Sequence, residues 1–419
     1  MKVLYLIYSK FNSFDEFVIK NRTGFPWVDS LINEVIKRDK VSIGLAVPIR
    51  SGTFQKKIQN GLVFYGLPDY NRRNRIRDYK CRLKHRNIET EMNSYTLNAI
   101  EDFDPDVVQI FGTENPFGKI INLTNRKVII HFQGSLQVVL AKWFSAISLF
   151  EQFIYSSIKD ILLFRGIFHE YYSFRAKCSD ERVIMNNCRY IMGRTMFDRR
   201  LISLLAPKAK YFFCNEFIRT EFLNTNWNLP LGVTVTCVSV LKGVTYKGLD
   251  LLFKISEVLK RYSSTDVIFR ICGIREDEEY VKILKRKYRN KTDFKKFIFL
   301  GKLDTASLIE NLCNSNFFIH PSYVENSSNS ICEAMALGMP TIATNVGGTN
   351  TLILDGVDGL IVPEGEPFSM AAAIASLIKD YEYAKQIGRN AKLKSLARHD
   401  PETNVNELFQ IYERVIDRD

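Results

Sequence analysis

Long hydrophobic runs are missing from this chain. No stretch of its 419 residues approaches the 18 or more consecutive apolar positions of a membrane-spanning helix. The opening run from Met1 to Tyr8 is apolar but short. It is followed by Lys10 and lacks a small-residue cleavage site, so it does not read as a secretory signal. The eight cysteines (81, 178, 188, 214, 237, 272, 313 and 332) form no CxxC pair and keep no regular spacing. That argues against a disulfide framework, and thiols set in apolar runs, such as Cys237 and Cys272, read as reduced and buried. Five scattered histidines supply no zinc set. There is no RRM, zinc-finger or helix-turn-helix signature, which makes nucleic acid the weakest candidate partner. The expectation is a cytoplasmic protein without a metal.

What is present is an ordinary globular composition, 46% apolar and 25% charged, with a formal net charge of +12. An anionic membrane face or phosphorylated substrates would account for that charge. The densest basic run, residues 72–86, holds eight Lys and Arg against one acid. It reads either as a solvated helix face or as a surface for anionic lipid or a lipid diphosphate, worth ~1 kcal/mol per basic residue near a membrane. The length suits two domains of roughly 200 residues each.

The first half alternates strand and helix signals. Residues 3–8 predict a strand, 9–26 a loop containing Gly24, and 27–38 a helix with apolar positions at Trp27, Val28, Leu31, Ile32, Val35 and Ile36. Gly24 is a turn glycine or a place where backbone approaches a phosphate. Further strands are predicted over 41–48 and 61–67. Asp102, Asp104 and Asp106 make two overlapping DxD spacings. The Asp-Pro leads straight into a strand at 107–111, so they read as punctuation rather than a metal–nucleotide site. Residues 128–132 predict another strand, with Gln133 at its polar tip and His131 two residues earlier on the same face. Ligands collect beyond the carboxyl ends of parallel strands. Residues 141–172 carry apolar side chains at helical spacing (Trp143, Ile147, Phe150, Phe153, Ile154, Ile158, Ile161). They are either core or an interfacial membrane surface. Strands at 190–193 and 210–214 precede an irregular stretch read as a linker.

The richest stretch is 317–348, FFIHPSYVENSSNSICEAMALGMPTIATNVGG. It predicts a buried strand, a polar loop, a short helix over 331–337 stopped by Gly338-Met339-Pro340, a second strand at 341–344 and a Gly347-Gly348 turn. Glu325 lies in the loop and Glu333 in the expected first helical turn. Between them, the amides of Asn329, Ser330 and Ile331 are expected to lack intrahelical partners, which makes an anion site. Upstream, Lys242 and Lys247 flank a strand-to-helix turn, five residues apart, where both can point at one diphosphate.

The two acids separated by seven residues, EAMALGMP, the Gly-Gly turn and DGVDG at 355–359 together resemble the nucleotide-sugar-binding half of glycosyltransferase family four, over about residues 238–396. The resemblance implies an α/β GT-B fold, two doubly wound, Rossmann-like domains facing across a cleft. It implies a first domain over 1–215 with a helix at about 403–419 crossing back, a linker at 216–230 and a donor-binding domain over 231–402. It implies a retaining, metal-independent hexosyltransferase that uses a UDP- or GDP-sugar. Glu333 would bind the donor ribose, and Glu325 would touch the transferred sugar with the loop 326–329 (Asn326, Ser327, Ser328, Asn329). Lys242, Lys247 and the amides up to Ser330 and Ile331 would meet the diphosphate. Gly24 would face the donor phosphates and acceptor, with Gln133 and His131 near the reaction centre. Arg194 and Asp198 are similar to a GRTxxD segment of related bacterial transferases and add Arg194 to the donor set. The implied acceptor is a glycan or lipid-linked acceptor of bacterial surface polysaccharide synthesis. Two rival readings are a sugar-nucleotide epimerase on the same fold, and a non-catalytic scaffold binding membrane or nucleic acid through its basic run.

Overall fold

The computed structural model describes residues 1–9, 11, 13–20, 23, 25–38, 40–50, 53–68, 92–155, 158 and 167–417. Gly24 and the basic run 72–86 lie outside the described residues. The chain divides into two compact units. The first holds Met1–Gln137, Tyr172–Ile218 and His399–Asp419, and the second holds Val138–Tyr171 and Arg219–Arg398.

The first unit is built on an eight-stranded sheet in the order β3-β4-β2-β1-β5-β6-β7-β8. Its strands are β1 (Lys2–Leu6), β2 (Ser42–Ile49), β3 (Gln55–Gln59), β4 (Leu62–Pro68), β5 (Val107–Phe111), β6 (Lys127–His131), β7 (Tyr190–Gly193) and β8 (Lys210–Phe213). All pairs are parallel except β3 with β4. Such strands are covered on both faces, so they are apolar along their whole length rather than alternating. On one face the helix Pro26–Ile36 buries Trp27, Val28, Leu31, Ile32 and Val35 together with Val405, Leu408 and Tyr412 of the last helix, Pro401–Ile416. Met92–Phe103 covers the other face. The last helix is also tied to the sheet by polar bonds. The hydroxyl of Tyr412 donates to Gln109 Oε1 at 2.5 Å and lies 2.9 Å from the hydroxyl of Tyr5.

The second unit carries six parallel strands in the order β11-β10-β9-β12-β13-β14. These are β9 (Thr234–Val240), β10 (Asp266–Cys272), β11 (Phe297–Gly301), β12 (Phe317–His320), β13 (Thr341–Thr344) and β14 (Leu360–Val362). The helix Asn329–Leu337 crosses from β12 to β13 and is buried from Ile331 to Leu337. Gly338 ends it at φ 80°, the left-handed turn that favours glycine. The helix Tyr381–Arg398 packs against that end through Gly388, where an added Cβ would sit 2.3 Å from the carbonyl oxygen of Gly338.

Several expectations change. The stretch 9–26 is not all loop. Phe14–Lys20 is helical because Phe14, Phe17 and Val18 supply a buried stripe. The antiparallel edge strand β3 is polar and gave no periodic signal. The first domain is not one continuous segment over 1–215. Residues 138–171 join the second unit, where Trp143, Ala146 and Ile147 are buried. The helical stripe expected over 141–172 is broken by turns between Leu136–Ala141 and Leu149–Tyr155. Trp143 and Ile147 go to the core, and Phe150, Ile154 and Ile158 face solvent. From Arg219 on, the expected linker is built into the second unit. Phe222 is buried, and Trp227 donates from its backbone to Leu337 O at 2.7 Å and from Nε1 to Ser315 O at 2.8 Å.

Gly388→Ala should push the two helices apart and cost about 1–3 kcal/mol. Urea denaturation would register this as a lower midpoint at unchanged slope, and an unaltered midpoint would refute the close packing.

Candidate functional site

The site grows from the carboxyl ends of β9 and β12, neighbouring strands of the second sheet. After β9 the chain passes Lys242 and a single turn at Thr245–Lys247, and then reverses at Gly248, φ 77°. A Cβ at Gly248 would lie 2.0 Å from Pro321 O, so only glycine lets the two turns approach. The loop after β12 is pinned in turn. The Tyr323 amide donates to Tyr246 O at 2.9 Å, and its hydroxyl donates to the buried carboxylate of Asp250 at 2.7 Å. Thr344 Oγ1 donates to Ser322 O at 2.6 Å, and the Gly348 amide to Asn326 O at 3.0 Å.

These constraints carry Lys247 to Glu325. Its ammonium lies 2.5 Å from Oε2, and His320 Nε2 lies 3.2 Å from the same oxygen. Burial by itself would raise the Glu325 pKa. The Lys247 charge and the His320 hydrogen bond outweigh it and hold the carboxyl well below its ordinary range. His320 Nε2 is also 3.1 Å from Ser328 Oγ, which accepts the Ile331 amide and caps the helix Asn329–Leu337. The helix therefore starts two residues before the expected 331, because Ser328 outcompetes the later positions as its cap. Two corrections follow. Glu333 sits in the second helical turn, not the first, and the Ile331 amide is occupied by Ser328. Asn329 and Ser330 remain the amides without an intrahelical acceptor.

Glu333 is buried and faces Arg219. Arg219 Nε and Nη2 donate to its Oε1 at 2.9 and 2.7 Å, and Nη1 donates to Thr305 Oγ1 at 3.0 Å. The guanidinium lies over the Phe222 ring, 4.6 Å from its centre. Burial raises the Glu333 pKa, Arg219 opposes it, and the net direction is upward. Glu333 Oε2 has no hydrogen bond among the described residues. Asn326 Nδ2 and Oδ1 and Asn329 Oδ1 are buried without partners among the described residues. Ser327 and Ser328 are buried beside them, and Ser330 Oγ is 3.0 Å from Ser328 Oγ. The loop thus has polar capacity the protein does not use.

Of the predicted residues, the second unit brings together Lys247, Glu325 and the loop 326–331 at the helix start, while Lys242 is exposed at the end of β9. Gln133, His131 and Arg194 belong to the first unit. Gln133 is half-buried just past β6. His131 is fully buried between Trp27 and Phe111. Its Nδ1 lies 3.4 Å from Gln109 Nε2, whose own Oε1 accepts from Tyr412. Burial, then the nearby Arg194, depresses its pKa well below 6.5, so the ring is neutral. Arg194 is buried, 5.5 Å from the Trp27 ring centre, and its amide donates to Asp198 at 2.7 Å. Asp198 completes a capping box with Thr195. The aspartates at 102–106 behave as punctuation: Asp102 takes the Tyr65 hydroxyl, and Asp106 takes the Lys2 amide. Sequence reasoning missed Arg219 and His320. His320 stands in the motif itself. Arg219 lies 114 positions from its partner and gave no local signal.

Residues 234–394 match the family model described as glycosyl transferases group 1. A stretch of 172 residues is 27% identical to an uncharacterized glycosyltransferase of Methanocaldococcus jannaschii, covering 41% of this chain and 43% of that protein. Another of 130 residues is 29% identical to a capsular polysaccharide biosynthesis glycosyltransferase of Staphylococcus aureus, covering 29% and 34%. The chain spans less than half the length of these curated relatives. A solved Anabaena protein, HepE, in complex with UDP and glucose superposes with TM-score 0.66 at 15% identity over 99% of both chains. The fold is GT-B, two doubly wound units of parallel sheet.

Lys247→Met should cost about 2 kcal/mol at pH 7, less than for a fully dry pair because both side chains keep some solvent contact. The low folded pKa of Glu325 stabilises the protein above the unfolded carboxyl value, 4.5, and that contribution is lost as pH falls toward the folded value. The stability difference between wild type and variant should therefore shrink below about pH 4.5. A difference that stays constant from about pH 5 down to pH 3 in denaturation experiments would refute the pairing.

Proposed function

We propose that the protein is a retaining glycosyltransferase that moves a hexose from a nucleoside-diphosphate sugar to a glycan or lipid-linked acceptor. The observation that carries this reading is the convergence of Lys247, Glu325 and His320 at the capped start of the helix Asn329–Leu337, inside the segment that matches the group 1 family model. The free amides of Asn329 and Ser330 and the ammonium groups of Lys242 and Lys247 meet the diphosphate, whose charge grows as the anomeric bond breaks. Preorganised donors of this kind supply ~3–4 kcal/mol each. No metal is required in this scheme, since lysines and amides take the charge.

Glu333 Oε2 accepts the ribose hydroxyls, while Arg219 holds Oε1 and so fixes the carboxyl plane. Glu325 and the unsatisfied side chains of Asn326 and Asn329 hold the hexose. When the diphosphate takes Lys247, His320 remains to hold Glu325. The acceptor hydroxyl attacks the face the diphosphate leaves, and the leaving phosphate takes its proton, which preserves anomeric configuration. The first unit serves the acceptor, with Gln133, Gly24 and the neutral His131 and with Arg194 as a further anion partner. UDP- or GDP-sugars are the proposed donors. Binding of UDP and glucose to the Anabaena protein supports a uridine donor, and the Staphylococcus aureus relative supports a surface-polysaccharide acceptor. The proposed location is the cytoplasm.

A thermal-shift panel of UDP-, GDP- and ADP-sugars should reveal one stabilising class, worth ~2.7 kcal/mol at 100-fold excess over Kd. Glu333→Ala should weaken that nucleotide by roughly 10–100-fold in calorimetry, the loss of a hydrogen bond to a charged group. Glu325→Ala should leave Kd within a few-fold but lower kcat by roughly 100-fold. Unchanged binding and turnover in both, or interconversion of free nucleotide sugars without transfer, would overturn the assignment.

A further inference from the structure

The described surface of the second unit contains one feature the donor site does not use. On the helix Leu149–Tyr155, Phe150 and Ile154 stand one turn apart, 73% and 57% exposed, and Ile158 follows four residues on at 77%. Large apolar side chains this exposed, with Phe150 and Ile154 in register on one face, mark an interaction surface rather than a chance event. The basic helix Glu279–Lys287 lies beside them. Arg286 Nη1 donates to Tyr155 O at 2.9 Å, and Lys287 donates to Ala146 O at 3.0 Å and pairs with Glu151 at 2.9 Å. Lys282, Arg286 and Arg289 are exposed. Lys282 and Arg286, four apart, share one helical face, and Arg289 follows in the turn just past the helix end. None of the three has a carboxylate partner among the described residues, whereas Lys285 and Lys287 do.

We propose that this face docks the protein on an anionic phospholipid bilayer. Phe150, Ile154 and Ile158 enter the boundary between headgroups and acyl chains, and Lys282, Arg286 and Arg289 meet lipid phosphates. A bilayer surface takes both chemistries at once, apolar side chains below and cations at the rim. A second copy of the chain does not complement the surface, because a twofold contact through this face would set the unneutralised basic rows against each other. The proposal does not depend on the donor chemistry. It adds the surface that would bring such an enzyme to a lipid-borne acceptor.

The test is sedimentation of the full chain with vesicles of phosphatidylcholine containing about 30% phosphatidylglycerol, against phosphatidylcholine alone. Wild type should bind the anionic vesicles at least about tenfold more tightly, and less so as salt rises. Phe150→Ser/Ile154→Ser and Lys282→Glu/Arg289→Glu should each lose about tenfold or more while keeping the wild-type thermal transition and nucleotide affinity. Equal binding to both vesicle types would overturn the proposal. So would variants that bind like wild type, which would move the attraction to residues 72–86. A wild-type dimer that the Phe150→Ser/Ile154→Ser change dissociates without altering vesicle binding would assign the face to a second copy, and overturn it too. Because nucleotide affinity is read on the same variants, failure here is separable from failure of the transferase reading.

Discussion

A carboxylate largely withdrawn from water needs compensating charge close by, and in the second unit that requirement falls on Glu325. Lys247 and His320 converge on one of its oxygens. Breaking such a set leaves a charge that burial alone would not tolerate. The surrounding loop is organised to keep the three together. Gly248 allows the β9 and β12 turns to touch, Tyr323 bonds across them, and Thr344 clamps the loop from β13. Because His320 also bonds Ser328, the charge arrangement is connected to the first amides of the helix Asn329–Leu337. The anion-binding end of that helix and the charge on Glu325 therefore belong to one hydrogen-bonded system.

The two acids are shifted in opposite directions. A lysine and an imidazole hold the Glu325 pKa down, while burial raises that of Glu333 despite its arginine. The difference follows from placement. Glu325 faces two donors at one oxygen, and Glu333 sits a turn inside a buried helix with Glu221 adding like charge. Under the proposed function this separates the roles. Glu333, backed by Arg219, is a fixed acceptor for ribose hydroxyls, whereas Glu325 exchanges partners as a diphosphate claims Lys247. The first unit uses polar burial differently. A chain of bonds from Tyr412 through Gln109 reaches a neutral His131, so the last helix is coupled to the tip of β6 through the core.

Much of the fold was legible from short-range signals. Apolar runs marked the parallel strands, Gly338 ended its helix, and Gly347-Gly348 made its turn, because period and backbone conformation are set by near neighbours. Local polar competition was harder to read. Ser328 advanced the start of the 329–337 helix by two residues and took the amide assigned to a ligand. Phe14–Lys20 and the polar strand β3 were missed for a related reason. A single buried stripe, or an edge that borrows its order from β4, carries little period of its own.

The sequence by itself determined the presence of two acids on a strand–loop–helix unit, a pair of lysines at a neighbouring strand end, and an alternating chain that had to build parallel sheet. Tertiary structure alone decided which charges meet. Lys247 reaches Glu325 across 78 positions, and Arg219 reaches Glu333 across 114. It also decided that Trp143 is core while Phe150 is surface. Pairing over such separations depends on which strand ends the sheet order places side by side, and no local pattern encodes that order.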